Sequence, residues 1–528
     1  MKYTEPVRII KCENCINEER LLQGNPCQAG ADIGDCMYMR KGGYILLDFG
    51  KELNGGVTIT TIDVSERVGK YRIVYGESVM EALSCIGEKN STNNHSTRDM
   101  TVEVNGWSTM TFGETGFRFV KVEAIDSDFK IKAIKAKTAI RDLPYIGSFV
   151  CNDERLNEIW RVGAYTVQLN MQDYLWDGIK RDRLVWIGDM HPEVSTIRTV
   201  FGDHPIVKKS LDFVRDLTPE GSWMNGILTY SMWWVIIQHD WYMHFGDFEY
   251  LNSQHAYLKS VVRQAFEWID SNYSFDGIRM FLDWSSRGLE DEAEGIKAVF
   301  CLGLKCAARI FEFLNDEEYS KRCLVYLKKV HDDRVLIETN KRVSALLTLA
   351  EKEYPNAEKW LADNSAEEMS CFMGYYVLLA KAKRGQYEEA LNIIREYWGG
   401  MLDMGATTFW EDFDIKWMEN SVGIDKLVPE GKNDIHGDFG RHCYQQFRHS
   451  LCHGWASGPT AFLSECLAGI EILEPGCRKL KINPKLAGLK WYNVVYPTPY
   501  GSVEIKCRNK NGDTETEISA PPQIEIIR

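Results

Sequence analysis

The sequence predicts a multidomain protein: an N-terminal β-sandwich over residues 1–147, a central body of helical hairpins over 148–472, and a small C-terminal β-domain over 473–528. Three observations predict it. The first ~145 residues are short runs of β-branched and aromatic residues between glycine-bearing turns. From Phe149 the apolar residues recur at helical spacing, about a dozen times over ~320 residues. After Pro475 the alternation of strands returns. At roughly 100–200 residues per domain, a chain of 528 residues has room for this division and for a large core.

In the first part, Gly43–Phe49, Val57–Ile62, Tyr71–Tyr75 and Phe117–Val122 read as separate strands. The helical body opens on Asn152-Asp153-Glu154, an N-cap with an acidic first turn. Leu258, Val261, Val262, Ala265 and Ile269 make one apolar stripe. Tyr387, Ala390, Leu391, Ile394 and Trp398 make another, which Gly399-Gly400 is expected to stop. Short loops imply antiparallel neighbours, so the helices form hairpins. Six hairpins in a ring would use them all. A solenoid would too, but no fixed-length repeat is present. In the tail, Leu480–Ile482 and Ser502–Lys506 alternate, and Pro497–Gly501 and Asn509–Gly512 read as turns.

Composition narrows the partners. The net charge of −14 argues against nucleic acid and anionic membranes, which need basic patches. No run of about 18 apolar residues is present, so no membrane span is expected. The start, Met1 to Pro6, lacks the apolar run of a leader. Fifteen cysteines, an odd number, read as reduced thiols, which together point to the cytoplasm. Cys12-x2-Cys15 with Cys27 and Cys36 has the number but not the spacing of a zinc site, so no metal is expected. No phosphate loop, dinucleotide fingerprint or nucleophile elbow appears. The 16 Trp, 24 Tyr and 22 Phe fill a core for the most part, though such faces also stack on sugar rings.

Three segments concentrate chemistry. Asp177–Asp189 interleaves carboxylates with Lys180, Arg181 and Arg183, while Leu184–Ile187 pull the stretch inward. A carboxyl beside a buried Trp is where a raised pKa, and so a general acid, can arise. The alternative is a solvated surface with weak ion pairs. Gly405–Asp414 holds Glu411 beside Trp410, where a capping or surface acid is the plainer reading. His449–Pro459 carries His453 and Trp455 on a glycine-rich loop, and an isolated His is more often a core residue.

Together these segments resemble the family 78 glycoside hydrolases, the α-L-rhamnosidases. Asp177-x4-Asp182-Arg183-Leu184-x-Trp186-x-Gly188-Asp189 is similar to the family's Asp-Cys-Pro-x-Arg-Glu-Arg-Leu-Gly-Trp-x-Gly-Asp. Gly405–Glu411, Ser450–Pro459, Leu47–Gly50 and Val495–Gly501 resemble further family segments in the same order, so the likeness runs over nearly the whole chain. It implies an (α/α)6 barrel flanked by the two β-domains, and cofactor-free, inverting release of terminal non-reducing α-L-rhamnose. Residue by residue it implies Asp182 as general acid and Glu411 as general base. It further implies Asp177, Arg181, Trp186, Asp189, Trp233, Trp234, Asp283, Trp284, Trp410, His453 and Trp455 as sugar-binding residues. The sequence leaves open whether the chain acts alone or as a homodimer.

Departures from the pattern bear on the chemistry. Asp182 stands where the family has Glu, one methylene shorter, so its reach falls by over an ångström. A misplacement of that size can cost about a hundredfold in rate. Glu193 is a nearby substitute acid. Gly178-Ile179 replaces Cys-Pro. Two further readings therefore stand beside the first: a carbohydrate-binding protein whose catalysis has lapsed, and the same mechanism on a different sugar.

Overall fold

The computed structural model describes residues 2–30, 36–510 and 512–528. The N-terminal part is a seven-stranded sheet wrapped around its own core of Leu47, Phe49, Tyr71, Ile73, Phe117 and Phe129. The runs at Gly43–Phe49 and Val57–Ile62 are not two strands but parts of one, Met37–Val64. Its register slips between Asp48 and Leu53 and again between Gly55 and Val57, which bends it. Such slips bend a strand and increase its local twist. Gly55, at φ 147°, and Gly56 leave no room for a Cβ against the neighbouring backbone, so the bend requires glycine.

Helices then run from Glu154–Asn170 to Gly458–Ala461 around one apolar core, as hairpins. Asp153 caps the first through the Arg155 N–H at 3.0 Å. The helix Tyr387–Asp403 passes through Gly399-Gly400 instead of stopping there. Both glycines are buried, Gly399 against Arg155 and Gly400 against Met418 and Phe413, so they admit close packing rather than ending the helix. Gly405, at φ 90°, follows the helix's end at Asp403.

The tail forms a sheet in which Trp491–Thr498 pairs with Gly501–Lys510 across the turn at Pro499. Ser148–Cys151, at the head of the helical body, is a strand of this same sheet and pairs with Trp491–Thr498. Of the turn at Asn509–Gly512, Asn511 lies outside the described residues; the Gly512 N–H donates to Asn509 Oδ1 at 3.0 Å. Among the described residues no cysteine is disulfide-bonded and no helix is long and apolar enough to cross a membrane. No three of Cys12, Cys15, Cys27 and Cys36 converge to ligand distance.

The N-terminal sheet is built into the helical body. Asp48 accepts from Arg118 at 2.8 and 3.0 Å and from Arg8 at 2.8 Å, while Arg118 also donates to Gly405 O at 3.0 Å. The Gly116 N–H donates to Ile179 O at 3.1 Å. That strand therefore lies directly behind the segment richest in chemistry.

Candidate active site

The three segments singled out by sequence are laced together by backbone bonds. Gly178 bridges His453, and the Gly454 N–H donates to Asp177 O at 2.8 Å. The His453 N–H donates to Phe409 O at 2.9 Å, and the Glu411 N–H to Ser450 O at 3.0 Å. A Cβ at Gly188 would strike the Tyr230 ring, so glycine is needed where the loop enters the helix Met190–Val200.

Asp177–Asp189 and His449–Pro459 line a cavity of about 260 Å³, with Gly405–Asp414 packed behind them. That is slightly below the usual range for small-molecule sites and suits one sugar ring. Asp177, Arg181, Asp182, Trp186, Asp189, Trp284, His453 and Trp455, all anticipated from sequence, line it. A groove of about 840 Å³ lies elsewhere, between Gly385–Glu389 and the C-terminal sheet. It is open and gathers no buried titratable cluster, so the smaller cavity is where chemistry is possible.

His453 is the hub. Its Nε2 lies 3.3 Å from Glu411, 3.7 Å from Asp177 and 3.8 Å from Asp189. Burial alone would lower its pKa, but these carboxylates outweigh burial and raise it. Arg181 donates to Glu411 at 2.5 Å, and both are buried. Burial pushes the Glu411 carboxyl up, yet Arg181 and His453 overcome it and hold the pKa down to about 2. Asp189 takes a bond from the Tyr230 hydroxyl at 2.8 Å, but burial dominates and its pKa rises to about 7. Burial likewise lifts Asp177 well above the carboxylate range, although the Leu184 N–H donates to it at 2.9 Å. The floor thus presents an ionised Glu411 behind carboxyls that can hold a proton, a mixture able both to donate to and to accept from sugar hydroxyls.

Asp182 sits higher on the wall. The Trp186 indole N–H donates to it at 3.3 Å, and His95 Nε2 lies 3.6 Å away. Both Asp182 and Arg183 are left-handed, at φ 52° and 56°. Two such residues in succession cost on the order of 1–3 kcal/mol each, held by the loop around them. Arg181 links the two proposed catalytic carboxyls, 3.9 Å from Asp182 and 2.5 Å from Glu411. With ~2.3 Å between a guanidinium's terminal nitrogens, the carboxylate oxygens stand no more than about 9 Å apart.

Other anticipated residues lie away from the wall. Glu411 is behind Arg181 and His453 rather than on the cavity surface. Trp233 is buried one turn deeper, stacked on Tyr376 and His191. Trp234 is fully buried away from the cavity, packed edge-on against Tyr257 and donating to Leu211 O at 3.3 Å. Trp410 packs edge-on against Phe413 and His449. Asp283 is buried, accepting from Ser285 and Ser370 hydroxyls at 2.6 and 2.7 Å. These four serve the core beneath and beside the cavity because their polar atoms and ring faces are already taken by protein or enclosed by it. Glu193, the substitute acid, is fully enclosed beside Gly454, and burial raises its pKa well above the usual range.

Sequence reading missed His95, Ile227, Tyr230, Arg279, Phe281, Cys443, Tyr444 and Arg448, which complete the wall. Tyr230 had a signal, lying one helical turn before Trp233 on the helix Leu228–Phe245. His95 had none, since it reaches over from the N-terminal sheet.

Residues 144–322 match the bacterial α-L-rhamnosidase six-hairpin glycosidase domain. An α-L-rhamnosidase of Formosa agariphila is 22% identical over 475 residues, which are 78% of this chain and 46% of the relative. The chain thus spans about half the length of the curated relative it matches. Among solved structures, a family 78 rhamnosidase of Bacillus sp. GL1 superposes with a TM-score of 0.75 at 18% identity, over 96% of this chain and 55% of that one. A rhamnosidase from Klebsiella oxytoca with rhamnose bound gives 0.67 at 18%, over 88% of this chain and 95% of that one. A Streptomyces avermitilis α-L-rhamnosidase complexed with L-rhamnose gives 0.74 at 15%, over 100% and 49%. These likenesses establish the six-hairpin barrel with its N-terminal sheet domain.

Proposed function

We propose that the protein is an inverting glycoside hydrolase that releases terminal α-L-rhamnose, with Asp182 as general acid and Glu411 as general base. The observation that carries this is the convergence of Asp177, Asp182, Asp189, Glu411 and His453 around a cavity sized for one sugar ring in a rhamnosidase-family barrel. In this reading Asp177, Asp189 and His453 hold the sugar hydroxyls, and Trp186, Trp284 and Trp455 supply the apolar faces. Asp182, the most accessible of the carboxyls, protonates the leaving oxygen, steadied by the Trp186 indole. Glu411 takes the proton of a water that enters between Arg181 and His453. The cap of about 9 Å on the separation of these two carboxylate oxygens leaves room for the 6.5–9.5 Å that an inverting pair needs for that water, and the anomer first released distinguishes it from the shorter spacing of a retaining pair. The substrate is a carbohydrate, and no cofactor enters the scheme.

The test is turnover of an aryl α-L-rhamnoside by wild type, Asp182→Asn and Glu411→Gln. Hydrolysis that each substitution lowers by at least 10³-fold supports the roles; undiminished activity in either variant refutes the corresponding role. One observation favours a second reading, a sugar-binding protein without catalysis: Glu411 is clamped by Arg181 behind the cavity wall. Rhamnose binding with no turnover of any aryl glycoside would select it.

A further inference from the structure

The cavity has two chemically distinct zones. Its floor is the carboxylate and His453 cluster. Its mouth carries two arginines, Arg279 and Arg448, beside His95. Arg181, the third arginine on the wall, is ion-paired with Glu411. Arg279 and Arg448 have no side-chain hydrogen bond and no carboxylate partner among the described residues. Arg448 is half-buried all the same. Arg279 lies over the Phe281 and Trp284 rings, at 5.2 and 5.5 Å, and Arg287 lies over Trp284 at 5.3 Å. A guanidinium parked on an aromatic face keeps its edge of N–H donors free, and that edge matches a planar or tetrahedral oxyanion.

A chain with 76 acidic and 62 basic residues has carboxylates to spare for its arginines. Arg279 is exposed and solvated, but Arg448 is half-buried at the lip of an otherwise acidic pocket with no carboxylate beside it, and together the two present an unneutralised pair of guanidiniums to whatever fills the mouth. A neutral substrate would cover Arg448 without giving it a counter-charge, which is unfavourable. An anionic one would supply the missing partner, and the site would reject the neutral analogue.

We propose that the mouth of the cavity binds an anionic group, carboxylate or sulfate, on the sugar next to the cleaved bond. The preferred substrates are then α-L-rhamnosides of acidic saccharides. The proposal rests on the glycosidase reading above. Two charge-assisted contacts are expected to favour the acidic substrate by about ten- to a hundredfold each.

The experiment compares kcat/KM on three α-L-rhamnosyl disaccharides whose second sugar is glucose, glucuronate or glucose 6-sulfate, alongside an aryl α-L-rhamnoside. A preference of tenfold or more for glucuronate or the sulfate over glucose, carried in KM and shrinking with added salt, is expected. The faster of the two identifies the anion. In Arg279→Gln and Arg448→Gln the acidic-to-neutral ratio is expected to fall toward one. Equal or faster turnover of the glucose disaccharide by wild type, with the aryl rhamnoside cleaved, overturns the proposal and leaves the glycosidase reading intact. No turnover of any rhamnoside, the aryl one included, overturns both.

Discussion

Replacing Lys180 with Met tests how far the N-terminal sheet supports the site. Lys180 is buried between the two domains, with Nζ 2.9 Å from Glu77, 3.2 Å from Glu81, and donating to Phe447 O and His449 O at 3.0 and 2.6 Å. Glu77 and Glu81 are fully buried, and even beside Lys180 burial lifts the Glu77 pKa to about 7. Methionine keeps the length of the side chain and removes the charge. Breaking a buried ionic pair costs about 3–5 kcal/mol, because a charge is left uncompensated. At about 1 °C per kcal/mol for a chain of 528 residues, the melting temperature should fall by roughly 3–5 °C at pH 8. The loss should shrink at pH 5, where the raised Glu77 carboxyl takes up a proton, and Glu77→Gln in the same chain should restore part of it. Because Lys180 precedes Arg181 and Asp182, turnover at a temperature where the variant is folded should fall by about a hundredfold, as expected for an ångström-scale misplacement. Thermal unfolding at the two pH values and aryl-rhamnoside kinetics measure both effects. A shift under about 2 °C, or one identical at pH 5 and 8, would refute the claim that this cluster holds the loop.

Two other outcomes follow from the geometry. With a folded pKa of about 7 against an unfolded 3.8, Asp189 contributes stability that is full below pH 3.8 and lost as pH rises through 7. At 1.36 kcal/mol per unit this amounts to at most about 4 kcal/mol, so Asp189→Asn should gain on wild type from pH 4 to 8 in urea unfolding; parallel curves would contradict it. Glu411 acts in the opposite sense, its contribution being lost as pH falls from 4.5 toward 2. Gly454→Ala would drive a methyl group into the Glu193 carboxylate. It should destabilise by about 1–3 kcal/mol and disturb His453, with Glu193→Ala restoring stability; a variant as stable as wild type would show that the carboxylate has room to move.

Much of the site was legible because its residue types carry their chemistry locally. Carboxylates, a histidine and tryptophans cluster within three short segments, and the backbone brings those segments together. Depth was not legible. Trp233, Trp234 and Tyr230 lie within five positions of one helix, yet Tyr230 lines the cavity, Trp233 sits under it and Trp234 faces away. Nor could the sequence show that His95 crosses from another domain, since no periodicity links residues 95 and 182. The same limit applied to the fold. Gly399-Gly400 looks like a stop locally, but in the structure it is the point where Arg155 and Phe413 press closest on a helix.

The central claim is that this cavity hydrolyses α-L-rhamnosides with inversion. Proton NMR of the sugar first released from an aryl α-L-rhamnoside, recorded before mutarotation, tests it most directly. The β-anomer should appear first, with water adding opposite the leaving group. The α-anomer appearing first would contradict the water-activating role of Glu411 and the mechanism built on it.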